Sequence, residues 1–248
     1  MGLIYGINPV HEAIVSGKTI NKLYGSKGSK EVYELLKLAK SKGIVTVEAD
    51  KIKLDKMVTK EGEKIKNSQG IVASVTDYEY YEIEDILEYA ASKGEKPFVV
   101  VLDKIEDPHN LGAIIRSAEC MGVHGIIIQK RNACQITDIV EKTAAGAVNY
   151  MRVARVTNIT RAIEELKKAG LWIYGLDMEG ASNIYDTDLT GSIGIVVGNE
   201  GEGMSRLVKE SCDGIIKIPM VGNTESLNAS VSAGITIYEI ARQNKMRR

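Results

Sequence analysis

The chain has 248 residues, enough for one large or two smaller domains, and its 44% hydrophobic and 26% charged composition is that of an ordinary globular protein. No apolar run approaches the length of a membrane helix and the start MGLIYG lacks the regions of a signal peptide, so the expected location is cytoplasmic, with no membrane partner. The net charge of −1 hides a segregation: residues 1–75 carry 13 Lys against 8 acidic residues, 76–96 carry 2 Lys against 7, and 97–248 carry 17 basic against 18.

In chain order, the basic segment alternates a short helix (Pro9 to Ser16), an apolar stretch at 20–24, a helix at 30–42 and strands near 44–48 and 70–75. That pattern predicts a compact α/β domain over residues 1–75. Every arginine lies after residue 115, so this domain offers only lysine point charges, which suit a nucleic-acid backbone. Residues 76–96 form an acidic linker. Ile83, Ile86, Leu87 and Ala90 share one helical face there, so the linker is expected to be partly helical. From 97 to 248, strands near 98–103, 125–129, 171–176, 193–198 and 214–218 alternate with helices, which predicts a mostly parallel sheet. A last helix is expected from about Ser226 to Asn244, with Leu227, Val231, Gly234, Ile235 and Tyr238 as its core face.

Three segments of the second domain share one grammar of apolar strand, polar turn and helix: PFVVVLDKI into EDPHNLGAIIRSAE, SIGIVVG into NEGEGMSRLVKE, and the stretch IPMVGNTESLNASVSAG at 218–234. Ligands of open α/β sheets sit beyond the carboxyl ends of the strands, so these turns converge on one site. They would bring together Asn110, Arg116, Glu200, Ser226 and Asn228. Each has a plainer reading: Asn110, Ser226 and Asn228 as helix caps, Glu200 as a turn acid, Arg116 as part of a solvated helix face. Ser226 and Asn228 are two apart and converge only in a loop or cap before the helix. The run Gly198-Asn199-Glu200-Gly201-Glu202-Gly203 lacks the GxGxxG spacing of a dinucleotide site, which weighs against a nicotinamide oxidoreductase. Cysteines 120, 134 and 212 are odd in number and far apart, and are expected to be buried small hydrophobes; histidines 11, 109 and 124 show no ligand spacing, so no metal is predicted.

NLGAIIR (110–116), IVVGNEGEGM (195–204) and IPMVGNTESLNASVSAG resemble, in order and spacing, the three signature motifs of the SpoU (TrmH) family of RNA ribose 2′-O-methyltransferases, within the knotted SPOUT superfamily. GLIYGINPVHEAI and QGIVASV resemble the amino-terminal domain of its RlmB subgroup, which methylates a guanosine of 23S ribosomal RNA. The resemblance implies an α/β fold with a carboxyl-terminal trefoil knot, preceded by a ribosomal-protein L30e-like RNA-binding domain, in a homodimer. It implies S-adenosylmethionine as cofactor, contacted by Gly198, Ile218, Met220 and Leu227, and a catalytic set of Asn110, Arg116, Glu200, Ser226 and Asn228. Arg116 would orient an RNA phosphate and the ribose hydroxyl, since a guanidinium stays protonated. In a dimer, Arg116 of one chain would meet Asn228 of the other. The sequence departs from the subgroup at Ser68, where His is frequent, and at Val148-Asn149, where an acid is common. A transfer-RNA target, an antibiotic-resistance ribosomal RNA target, or a non-catalytic RNA-binding module are the alternatives.

Overall fold

A computed structural model describes residues 2–16, 18–59, 64–76, 78–223 and 226–244. The chain divides into two compact units, Met1–Glu79 and Tyr80–Arg248.

The first unit runs β1 (Gly2–Tyr5), α1 (Ile7–Val15), β2 (Ile20–Gly25), α2 (Lys30–Ser41), β3 (Thr46–Glu48), α3 (Lys51–Met57) and β4 (Ile71–Val75). Its sheet has the order β1-β4-β2-β3; β4 is antiparallel to β1 and β2, and β3 is parallel to β2. IVASV of β4 is buried throughout because it is flanked on both sides, and Val10, Ile14, Leu23, Val32, Leu35 and Ile71 form the core around it. Ser29 caps α2 by accepting from the Val32 N–H at 3.3 Å. Asp55 Oδ1 accepts from the Ser68 N–H at 2.8 Å and the Ser68 hydroxyl at 2.5 Å. β1, hidden in a sequence that reads as a helix entrance, is an edge strand completed only by its pairing with β4.

The second unit runs α4 (Ile83–Ser92), β5 (Phe98–Leu102), α5 (Pro108–Cys120), β6 (Gly125–Gln129), α6 (Asp138–Thr143), a 3₁₀ turn at Ala147–Asn149, β7 (Arg152–Val156), α7 (Ile159–Lys168), β8 (Trp172–Leu176), β9 (Ser182–Asn183), β10 (Ile193–Val197), α8 (Arg206–Ser211), β11 (Gly214–Lys217) and α9 (Ala229–Asn244). All seven strands are parallel, in the order β7-β6-β5-β10-β8-β11-β9. FVVVL of β5 and IGIVV of β10 are fully buried, as expected for central strands covered on both faces. The strand order reverses beside β10, which is inserted between β5 and β8, and the turns leaving β5, β8, β10 and β11 open on the same edge of the sheet.

Several expectations are revised. The stretch 76–96 is divided by the unit boundary: α4 is an integral helix of the second unit, with Ile83 and Ile86 in its core and Ile86 lying over Gly125, where a Cβ would come within 2.4 Å of it. β7 is not revealed by the apolar pattern, because Arg152 and Arg155 interrupt that pattern. It is an edge strand whose guanidinium groups lie over tyrosine rings, Arg152 over Tyr89 at 3.4 Å and Arg155 over Tyr80 at 3.8 Å. α9 starts at Ala229, three residues later than Ser226, and of its expected core face only Gly234 packs inward. Val231, Ile235 and Tyr238 are 47%, 40% and 50% exposed, whereas Ala229, Ala233, Thr236, Ile237 and Ile240 are buried. Small residues face inward because α9 packs closely on α5, Gly234 lying beside Ser117. Cys120 is exposed rather than buried; Cys212 is half-buried, and burial pushes its thiol up to about 12. Among the described residues no helix is long and apolar enough to cross a membrane.

Candidate active site

The turn leaving β10 is the most constrained part of the site. Asn199 and Gly203 exchange backbone hydrogen bonds (3.2 and 2.9 Å), and Asn199 Oδ1 accepts from the Gly201 N–H at 2.8 Å. Gly203 takes φ +66°, and a Cβ on Gly198 would stand 2.3 Å from both the Gly203 carbonyl carbon and the Met204 nitrogen. The turn is also tied to the segment after β5. Asn199 Nδ2 donates to the Lys104 carbonyl at 3.0 Å, and the buried carboxylate of Asp103 accepts from the Ser205 N–H at 2.8 Å.

This frame projects Glu200 toward two amides. Glu200 Oε1 accepts from Asn110 Nδ2 at 2.9 Å, from the Ala229 N–H at 3.2 Å and from Asn228 Nδ2. Asn228 Nδ2 also donates to Asn110 Oδ1 at 3.0 Å. Asn110 is delivered by α5, whose Asp107 cap accepts from the His109 N–H at 2.9 Å and whose first residue is Pro108, with φ already suited to a helix. Gly112 lets α5 lie against α6, since a Cβ there would sit 2.6 Å from that of Thr143. Asn228 is both cap and site residue: its Oδ1 accepts from the Ser230 N–H at 2.9 Å and hydroxyl at 2.6 Å, while its amide nitrogen faces Glu200. One end of the Asn228 side chain therefore caps α9 while the other joins the Glu200 cluster.

Beside this cluster lies a cavity of about 590 Å³, within the range of small-molecule sites. Its walls are the turn after β8 (Leu176 to Glu179), the turn after β10 (Gly198 to Met204), Ile218 and Met220 after β11, and Ser226, Leu227, Ala229 and Ser232. All four residues expected to contact a cofactor, Gly198, Ile218, Met220 and Leu227, are in that lining. Ser226 lines it as well, but makes no hydrogen bond to Asn110, Glu200 or Asn228. Thr224 and Glu225, inside the third motif, lie outside the described residues. Arg116 stands apart: it is exposed and makes no hydrogen bond or ion pair with a described residue. It is six residues beyond Asn110 on α5, ~9 Å along the axis, so within one chain it does not join the Glu200 cluster. The resemblance also implied a cofactor contact from the backbone of the 175–177 turn, and Leu176 and Asp177 of that turn line the cavity; the side chains of Asp177, Glu179 and Lys209 and the anchors Asp103 and Asn199 had no role in the sequence reading. Asp177 was detectable as the acid that directly ends the apolar strand WIYGL; Lys209 carried no signal, because a lysine on a short helix looks solvated.

The cavity suits an adenosine-bearing cation. Ile218, Leu227 and Met204 offer apolar contact, the β8 and β10 turns offer backbone groups and carboxylates, and the missing Cβ of Gly198 lets the β10 turn close tightly on Gly203 and Met204. A parallel α/β sheet with such a cavity at its switch point and a carboxylate–amide cluster on the rim defines a cofactor-dependent enzyme. Residues 97–238 match the family described as SpoU rRNA Methylase, and residues 3–81 match RNA 2'-O ribose methyltransferase substrate binding. YacO of Bacillus subtilis (strain 168), named a TrmH family tRNA/rRNA methyltransferase, is 42% identical over 242 residues, 97% of this chain and 95% of its own. Among solved structures, the SpoU methyltransferase AviRb from Streptomyces viridochromogenes in complex with AdoMet is 26% identical, with a TM-score of 0.60 over 97% of this chain and 89% of that one. The A. aeolicus TrmH/SpoU tRNA modifying enzyme is 32% identical, with a TM-score of 0.55 over 60% of this chain and 76% of that one. The chain belongs to the SpoU methylase family and is an S-adenosylmethionine-dependent RNA methyltransferase.

Proposed function

We propose that the protein methylates a ribose 2′-hydroxyl in RNA, most specifically that of a guanosine in 23S ribosomal RNA, in the cytoplasm. The observation that carries this reading is the Asn110–Glu200–Asn228 cluster on the rim of the cavity, with Arg116 left free of partners among the described residues. When bound, S-adenosylmethionine supplies an electrophilic methyl group. A ribose hydroxyl is a weak nucleophile at neutral pH, so the protein's task is to hold it in line and to assist loss of its proton. Glu200 fixes the two asparagine amides, which present hydrogen-bonding groups at the mouth of the cavity. Arg116 is a permanent cation whose planar fork matches a phosphate oxygen pair, and it orients the strand that carries the hydroxyl. The lysine-rich first unit selects the RNA.

The separation of Arg116 from the Glu200 cluster supports a site completed across a homodimer, Arg116 coming from one chain and Asn228 from its partner. The exposed stripe Val231, Ile235 and Tyr238 on α9 supports the same arrangement, as apolar surface that a second copy would cover. A trefoil knot in the carboxyl-terminal segment and an L30e-like first unit complete the reading. Ribosomal RNA from a strain lacking this protein tests it: one ribose methylation should disappear from 23S ribosomal RNA. Loss confined to transfer RNA would move the target, and loss of none would reject the assignment. Hybrid dimers of Arg116→Ala with Asn228→Ala should regain activity that each parent lacks; inactive hybrids would place both residues in one chain's site.

A further inference from the structure

Lys209 is the single cation among the described residues that line the cavity, which also carries the carboxylates of Asp177, Glu179, Glu200 and Glu202. Its Nζ lies 3.1 Å from Asp177 Oδ2 and 3.3 Å from Glu179 Oε2. The two pairs are not equivalent. The Asp177 side chain is 19% exposed and that of Glu179 85%, so solvent screens the second pair far more than the first.

We propose that Lys209 is a positioning residue for the cofactor: it holds the Asp177 carboxylate at the cavity wall as an acceptor for the donor groups of S-adenosylmethionine, acting through Asp177 rather than on the cofactor itself. This rests on the cavity being the cofactor site. The backbone of the turn has its own anchors. The Asp177 N–H donates to the Ile216 carbonyl at 3.0 Å, the Gly180 N–H donates to the Asp177 carbonyl at 3.1 Å, and Gly180 lies against Ile216, where a Cβ would come within 2.6 Å of its carbonyl carbon. These contacts fix the chain but not the rotation of the Asp177 carboxylate. That is set by the Glu179 N–H, which donates to Oδ1 at 2.9 Å, and by Lys209 on Oδ2. A carboxylate offers about four acceptor positions, so both oxygens keep capacity for a hydroxyl or amino donor. Two acids two residues apart in one turn also repel, and the ammonium between them removes that repulsion. α8 itself does not depend on Lys209. Val208 is buried in the core, the Ser205 N–H is held by Asp103, and Asp213 just beyond the helix accepts from the Ile173 N–H at 2.8 Å and pairs with Lys167 at 2.7 Å.

The test is calorimetric titration of S-adenosylmethionine into the full-length wild type, Lys209→Met, Lys209→Arg, Asp177→Asn and the Met/Asn double variant. Lys209→Met keeps the aliphatic stem and should raise Kd about 5- to 20-fold, the scale of one partly exposed charge-assisted hydrogen bond. Its melting temperature should stay within about 2 °C of wild type. Lys209→Arg should recover most of the affinity, and the loss should appear in the KM for the cofactor rather than in kcat. The double variant should bind no more weakly than Asp177→Asn. Wild-type affinity in Lys209→Met overturns the proposal, and so do losses that multiply in the double variant, which would mean that Lys209 meets the cofactor directly. A wild type that binds no S-adenosylmethionine would instead remove the cofactor assignment of the cavity, and this proposal with it.

Discussion

Gly198→Ala isolates the contribution of the β10 turn. The added methyl would stand 2.3 Å from two backbone atoms and 2.6 Å from the Gly203 carbonyl oxygen, none of which belongs to a side chain able to rotate away. Relief requires the turn to open by more than an ångström, breaking the two Asn199–Gly203 backbone bonds. Those bonds are worth about 1 kcal/mol each, and overpacking of this kind costs about 1–3 kcal/mol, so the local penalty is about 3–5 kcal/mol. If only about 2 kcal/mol of that falls on cofactor binding, affinity drops roughly 30-fold. Gly201→Ala is the internal control, because its Cβ would come no closer than 3.5 Å to Asn199 Oδ1. Calorimetry with S-adenosylmethionine should show Gly201→Ala within about twofold of wild type and Gly198→Ala at least tenfold weaker, with far-ultraviolet circular dichroism unchanged for both. Equal affinity in the two variants would refute the claim that the closeness of Gly198 to Gly203 shapes the cavity.

Arg116→Ala should abolish methyl transfer while leaving cofactor affinity and melting temperature near wild type, since Arg116 is exposed and makes no described hydrogen bond; Arg116→Lys should rescue poorly, and full activity of the lysine variant in a transfer assay would reject a role for the guanidinium fork. Removing residues 1–79 should weaken RNA binding and flatten its dependence on salt, with cofactor binding retained; an unchanged salt slope in filter-binding assays would contradict the role given to the first unit. The hydroxyl and N–H of Ser68 hold the Asp55 carboxyl below its ordinary value. A lowered folded pKa stabilises above the unfolded pKa, near 4, and that stabilisation is lost as pH falls through the folded value. Ser68→Ala should therefore cost more stability at pH 7 than at pH 2.5 in thermal melts; an equal cost at both would show that the Asp55 bond contributes nothing.

The parallel sheet was legible because its central strands are unbroken apolar runs, and the grouping of the turns at one edge because the motifs follow those strands. The remaining features depend on contacts between distant segments. β7 is held as a strand by its parallel pairing with β6, with Tyr80 and Tyr89 under its arginines, and α4 packs into the second unit with Ile86 over Gly125. The sequence shows the helical period of α9 but not which face turns inward. A stripe of Val231, Ile235 and Tyr238 has the same spacing whether it meets a core or faces outward, and the small residues Ala229 and Ala233 mark the inner face. At the site, the residue types of Asn110, Glu200 and Asn228 pointed to chemistry, but only the fold showed that a single carboxylate oxygen gathers both amides. Arg116 matched its motif equally well and is absent from that cluster.

The atom that receives the methyl group separates ribose methylation from base methylation. Wild-type protein incubated with S-adenosylmethionine labelled in its methyl group and with a 23S ribosomal RNA transcript, followed by digestion to nucleosides, reads that atom out directly. Label recovered in 2′-O-methylguanosine, and missing when Arg116→Ala replaces the wild type, is the expected result. Label in a base-methylated nucleoside would contradict transfer to the ribose 2′-hydroxyl.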